Sequence, residues 1–168
     1  MEILKYPDPV LERPGATIAV FDSELAARAR ELIETMLRAR GVGLAAPQVG
    51  WSVRLFAMNP SGEDDPARAR ILVNPRIVKR AGRETLEEGC LSFPGLLLNI
   101  ARATRVTVQA QDLEGKPFEL ESADPLEARI IQHETDHLDG VLFVTRMTPA
   151  DRASVDVQRR LREFRGDE

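Results

Sequence analysis

Apolar residues recur every three to four positions between Ser23 and Arg40, at Leu25, Ala29, Leu32, Met36 and Leu37. That spacing predicts an amphipathic helix, and Gly41 is its expected stop. A second helix is predicted from Asp124-Pro125-Leu126-Glu127. An N-cap aspartate, a proline at the first helical position and a glutamate at the third form a strong start signal. This helix ends near Asp139-Gly140. A third opens at Thr148-Pro149 and continues to about Arg165, with Ala150, Ala153, Val157, Leu161 and Phe164 along one side. Between the first two helices the pattern turns to β. Val53–Met58, Ile71–Val78 and Thr104–Gln111 are rich in β-branched and apolar residues, and Asp112-Leu113-Glu114-Gly115 reads as a hairpin loop leading to Phe118–Glu121. Segment 61–70 is polar, charged and broken by Gly and Pro, as a surface loop is. Strands set between helices without a regular β-α-β alternation predict an α+β fold.

The chain has 168 residues, which fits one domain spanning 1–168 with a self-sufficient core. A net charge of −4 argues against whole-surface DNA or RNA binding, which needs a basic footprint. No apolar run reaches the length of a membrane span. The single cysteine cannot form an internal disulfide, and the first residues lack a signal-peptide apolar region. Both observations point to a reducing cytoplasm.

The chemistry concentrates in three segments. The only two histidines stand four residues apart in His133-Glu134-Thr135-Asp136-His137, the pattern H-E-x-x-H. On a helix, positions i and i+4 share a face, so both imidazoles can meet one metal ion while Glu134 reaches a metal-activated water as general base. A catalytic centre needs a third protein ligand. A third histidine at the end of an extended motif is excluded, because Phe143 stands there. Glu163 on the last helix and the lone Cys90 remain. Cys90 lies in Glu87-Glu88-Gly89-Cys90-Leu91-Ser92-Phe93-Pro94-Gly95, where two acids, two glycines and a proline suggest a loop. A soft thiolate with two imidazoles suits Zn, Fe, Co or Ni. The segment Gly41-Val42-Gly43-Leu44-Ala45-Ala46-Pro47-Gln48-Val49-Gly50 has one polar side chain, Gln48. It reads either as a helix cap entering a packed strand or as a close-approach backbone whose Gln48 amide stabilises an oxyanion.

Together, Gly41-Val42-Gly43-Leu44-Ala45-Ala46-Pro47-Gln48, Glu88-Gly89-Cys90-Leu91-Ser92 and Gln132-His133-Glu134-Thr135-Asp136-His137-Leu138-Asp139-Gly140 resemble the three ordered motifs of the peptide deformylase family. The resemblance extends to Tyr6-Pro7-Asp8-Pro9 and to the hairpin around Asp112 and Gly115. It implies an α+β fold of antiparallel sheets around the motif helix, with N- and C-terminal helices as in the bacterial subclass. It implies metal-dependent hydrolysis of the formyl group from N-terminal formyl-methionine on new polypeptides. Carried over, Cys90, His133 and His137 hold one divalent metal, natively Fe(II), with Zn, Ni or Co also accepted. Glu134 is the general base and acid, and Gln48 with the Leu91 N–H holds the oxyanion. Gly43 and Leu44 confine the formyl carbon and Gly89 borders the substrate. For the methionine side chain we expect a pocket of Val42, Leu86, Leu126, Ile130 and His133.

One departure concerns Leu97, where many bacterial relatives carry a basic residue; the run Leu96-Leu97-Leu98 is expected to form an exposed patch or to pack on a neighbour. In bacterial relatives the last helix can dock on the ribosome. Here Arg152, Arg159, Arg160, Arg162 and Arg165 are offset by Asp151, Asp156, Glu163, Asp167 and Glu168, which favours a solvated amphipathic helix. Two other readings compete: an endopeptidase using Glu163 as third ligand, and a structural metal module, which normally needs four protein ligands.

Overall fold

The computed structural model describes residues 1–167. Helix α1 (Ser23–Arg38) starts where the Asp22 side chain accepts a hydrogen bond from the Leu25 N–H at 2.9 Å. Its end differs from expectation. The left-handed residue is Arg40 (φ 55°), and the Gly41 N–H closes the terminal turn on the Met36 carbonyl at 3.0 Å. Gly41 also lets Leu91 approach: a Cβ there would stand 2.7 Å from Leu91 Cδ1.

The strands are β1 (Gly43–Ala45), β2 (Leu55–Met58), β3 (Arg70–Ala81), β4 (Glu84–Cys90), β5 (Phe93–Arg102), β6 (Arg105–Gln111) and β7 (Pro117–Ser122). Five form one sheet in the order β1-β2-β3-β6-β7, and β4 pairs with β5 in a second; every pairing is antiparallel. β2 is buried along its whole length. Its alternation sends Leu55 and Ala57 toward α1 and Phe56 and Met58 to the opposite face, so one strand serves two cores.

Helix α2 (Pro125–Leu138) fills the space between the sheets. Asp124 caps it by accepting from the Leu126 N–H, and Pro125 occupies the first position. Ala128, Ile130, Ile131 and Leu138 pack against Phe56, Met58, Leu72, Val106 and Val108 of the five-stranded sheet. Ten of its fourteen residues are buried, which explains why its apolar stripe is weak: a central helix needs polar residues on the face that carries chemistry. At its end Gly140 adopts φ 72°, and a Cβ there would meet the Glu12 carbonyl oxygen at 2.7 Å.

The two-stranded sheet corrects the sequence reading twice. Cys90 closes strand β4 rather than lying in a loop. The leucine run is strand β5, with Leu96, Leu98 and Ile100 buried against Leu11, Phe143 and Leu161, while only Leu97 is exposed. The third helix is also two: α3 (Pro149–Ala153) and α4 (Val155–Arg165), separated at extended Ser154. Asp151 accepts from the Asn99 N–H and binds that chain segment to β5. The break then lets α4 turn Val157 and Leu161 into the same core. Arg159 pairs with Asp156 and Glu163, and Arg165 donates to the Tyr6 hydroxyl. Among the described residues no helix is long and apolar enough to cross a membrane.

Candidate metal centre and active site

Three elements converge at the buried face of α2. The Cys90 Sγ, His133 Nε2 and His137 Nε2 atoms lie within 4.8 Å of one another. His137 Nε2 is 3.4 Å from the sulfur and 3.3 Å from His133 Nε2. For metal–nitrogen and metal–sulfur bonds of about 2.1 and 2.3 Å at tetrahedral angles, the corresponding edges are about 3.4 and 3.6 Å. The donor triangle therefore fits a single ion with a fourth position open. Glu163, the alternative third ligand, is outside this cluster and pairs with Arg159 at 2.6 Å on an exposed face.

Behind the triangle lies a group that the sequence reading passed over. Glu88 is 6% exposed and receives four donors. Its Oε1 accepts from Arg102 Nη2 at 3.0 Å and stands 2.7 Å from His133 Nδ1. Its Oε2 accepts from Arg102 Nε at 2.9 Å and Arg129 Nη1 at 2.7 Å. Burial alone would raise the Glu88 pKa, but the hydrogen bonds from His133 and Arg102 hold it well below the usual carboxylate range. Held this way, Glu88 fixes the His133 ring so that Nε2 faces Cys90 and His137, the orienting role a carboxylate plays behind a ligating imidazole. Arg102 reaches on to Asp136 at 2.6 Å, and Arg146 grips the same carboxylate. The available signal was position: Glu88 sits two residues before Cys90 and within the same motif.

The imidazoles respond oppositely to this environment. Burial and the neighbouring His133 keep His137 well below its ordinary pKa. Burial also opposes charge on His133, but Cys90 and Glu88 outweigh it and draw that ring toward the cation.

In front of the triangle is a cavity of about 600 Å³. Val42, Gly43, Gln48, Gly89, Cys90 and Leu91 line one side, and Leu126, Ile130, His133 and Glu134 line the helix side. Glu134 is 4% exposed, and its Oε2 has no hydrogen-bond partner. Burial raises its pKa to about 7, with the facing Glu88 and Asp136 adding to the rise and His133 and Arg102 opposing it. Gly43 makes room for it: a Cβ would stand 2.6 Å from Glu134 Oε1. Gln48 is fixed by its Oε1, which accepts from the Ala45 N–H at 2.9 Å. Its amide nitrogen donates to Ser92 Oγ at 3.1 Å and faces Cys90 Sγ at 3.6 Å. Leu91 is held in place by Lys5, which donates to its carbonyl at 3.0 Å.

Two predicted substrate residues stand apart. Leu44 is fully buried in the α1 core, because β1 turns Gly43 and Leu44 to opposite faces. Leu86 is 43% exposed on β4 and is not among the residues lining the cavity. Conversely, Ile3 borders it from the N-terminal segment, and Pro94 and Gly95 border it from the stretch that follows Cys90.

An α+β fold holding a Cys-His-His donor set beside a buried glutamate defines a metallohydrolase-type centre. Residues 1–153 match the family model described as polypeptide deformylase. The chain is 45% identical over 162 residues to the peptide deformylase of Acidobacterium capsulatum, covering 96% of this chain and 94% of that one. It is likewise 45% identical to that of Chromobacterium violaceum, covering 97% and 96%. The structure superposes on Plasmodium falciparum peptide deformylase with a TM-score of 0.91 at 36% identity, covering 98% and 95% of the two chains. For a Legionella pneumophila peptide deformylase the TM-score is 0.88 at 41% identity, covering 98% and 95%. The chain belongs to the polypeptide deformylase family.

Proposed function

We propose that this chain, acting as one catalytic unit, hydrolyses the N-formyl amide of formyl-methionine at the start of newly made polypeptides and releases formate. The observation that carries this reading is the Cys90, His133 and His137 donor triangle facing a cavity that also presents Glu134 and Gln48. A divalent metal held by those three ligands supplies Lewis acidity and a water of lowered pKa when bound. Fe(II) is the native ion we expect, with Zn, Ni or Co able to replace it.

The remaining steps belong to the chain's own groups. Glu134 takes the water proton on its unpartnered Oε2 and returns it to the leaving amine. The Gln48 amide and the Leu91 N–H donate to the carbonyl oxygen as negative charge develops there. The Glu134 carboxylate, seated where a Cβ of Gly43 would stand, keeps the space beside the reacting carbon narrow enough to favour a formyl hydrogen over a larger acyl group, and Leu44 anchors β1 in the core behind it. Val42, Leu126 and Ile130, with the His133 ring, receive the methionine side chain, and Gly89 borders the peptide. Leu86, exposed on β4, stands outside this pocket. An Ile130→Trp variant should lose activity on formyl-Met peptides.

The expected compartment is the cytoplasm. Contact with the ribosome through α4 is the weaker element of this reading, because Arg159 and Arg165 are engaged within the chain. Reversing Arg162 on α4, together with Arg152 on the preceding α3, to glutamate should reduce ribosome co-sedimentation if this C-terminal segment docks.

The deciding experiment is formate release from formyl-Met-Ala-Ser by anaerobically purified protein supplied with Fe(II) or Ni(II). Release that vanishes in Glu134→Ala supports the reading. A protein that binds one metal per chain yet releases no formate contradicts it.

A further inference from the structure

A separate polar cavity lies where the β3–β4 and β5–β6 connections meet α2. Its volume is about 580 Å³, and it is walled by Arg80, Arg83, Arg102 and Arg146, with Asp136 and Gln132 behind. The tight connection between β3 and β4 puts Arg80 and Arg83 there: Gly82 turns with φ 69°, and a Cβ at that position would collide with Thr104 Oγ1.

The charges do not cancel. The charge of Arg102 is answered by Glu88, which leaves Arg80, Arg83 and Arg146 facing the one carboxylate of Asp136 in a protein whose net charge is −4. Arg102 is 5% exposed and fully committed to Glu88 and Asp136, so it offers no free donor. Gln132 is likewise satisfied by Ala103 and Ala128. Arg146 uses Nε and Nη2 on Asp136 and keeps Nη1 free. Among the described residues Arg80 and Arg83 have no ion-pair partner, and both are exposed at the cavity wall. Like charges gathered around one concavity repel unless an anion joins them, and planar guanidinium forks match the oxygens of a phosphate group.

We propose that this cavity is a phosphate-binding site, with Arg80, Arg83 and Arg146 as its donors. It is separate from the substrate cavity and does not depend on the deformylase reading. The phosphate can be a free ion or a phosphodiester of an RNA backbone.

The test uses nickel-loaded full-length protein and two probes, inorganic phosphate by calorimetry and a decauridylate by fluorescence anisotropy. The wild type should bind at least one of them, phosphate with a Kd on the order of 1 mM. The variant Arg80→Gln/Arg83→Gln should weaken that binding by roughly tenfold or more, with thermal melting and formate release unchanged. Arg80→Lys/Arg83→Lys should restore part of it. Phosphate binding alone assigns a small free anion, and oligonucleotide binding alone assigns a polymer backbone; either result, if lost in the variant, supports the site. Neither probe binding, with phosphate raised to about 20 mM, overturns it. So does binding that persists undiminished in Arg80→Gln/Arg83→Gln, which would place the anion elsewhere, such as at the metal.

Discussion

Replacing Glu88 by glutamine should damage the protein more than its conservative shape suggests. The carboxylate serves four donors with two oxygens, at 2.7 to 3.0 Å. An amide offers one oxygen, and its nitrogen must point its hydrogens at two other donors. Arg102 and Arg129 are 5% and 6% exposed; Arg102 would keep only Asp136, and Arg129 only the carbonyls of Ile100 and Glu84. Removing one partner of a buried ion pair costs about 3–5 kcal/mol, a large share of the ~5–15 kcal/mol available to a domain. His133 would lose the group that orients its ring, and losing such a partner lowers metal affinity by about 10–100-fold. The effect has a pH signature. Glu88 is depressed below its ordinary value of 4.5, so its stabilisation is complete above that pH and fades as pH falls toward the folded-state value. The gap between wild type and Glu88→Gln in urea unfolding should therefore be constant from neutral pH down to about 5 and narrow below it. Nickel competition with a chelator measures the second effect. A loss under about 1 kcal/mol with unchanged nickel affinity would refute the argument that Glu88 both neutralises the arginines and sets the ligand.

Gly43→Ala would place a methyl group 2.6 Å from Glu134 Oε1. Formate release should drop by about 10²-fold, because a misplaced base costs that much, while circular dichroism stays unchanged. Gln48→Leu should lower kcat by about 10²–10³-fold in the same assay with metal content retained. Glu134→Gln should stabilise the metal-free protein in a pH-dependent way. The folded-state value of about 7 lies above the ordinary 4.5, so the wild type loses stability as pH rises through 7. The variant's advantage, on the order of 3 kcal/mol, should appear in urea midpoints at pH 8 and vanish at pH 4. An equal advantage at both pH values would mean the buried charge is not its source.

Much of the site was readable because its residues are chemically scarce. Two histidines and one cysteine leave few ways to build a donor set, and the Asp124-Pro125 start places His133 and His137 on one helical face. What stayed hidden has common causes. Strand β4 begins Glu84-Thr85-Leu86-Glu87, all exposed, and its inward position is filled by a charged Glu88, so no apolar alternation marks it. In β5 the alternation is masked by an outward Leu97 between two inward leucines. Glu88, Arg102, Arg129 and Asp136 resemble solvated surface charge in a sequence; only the tertiary structure reveals that they neutralise one another inside. The break at Ser154 follows from the need to redirect α4 onto the core, which local helix propensity does not encode.

The two donors flanking the longest stretch of the donor set, Cys90 and His133, are contributed by different layers of the fold, the small sheet and the central helix. An ion bridging them ties a ring of about 43 residues that contains β5, β6 and β7. By the entropy of loop closure, a cross-link of that span removes about 4 kcal/mol worth of freedom from the unfolded chain. The metal would then act as a reversible clasp on the chain's topology, and stripping it should lower the stability of the fold without breaking any bond of the chain itself.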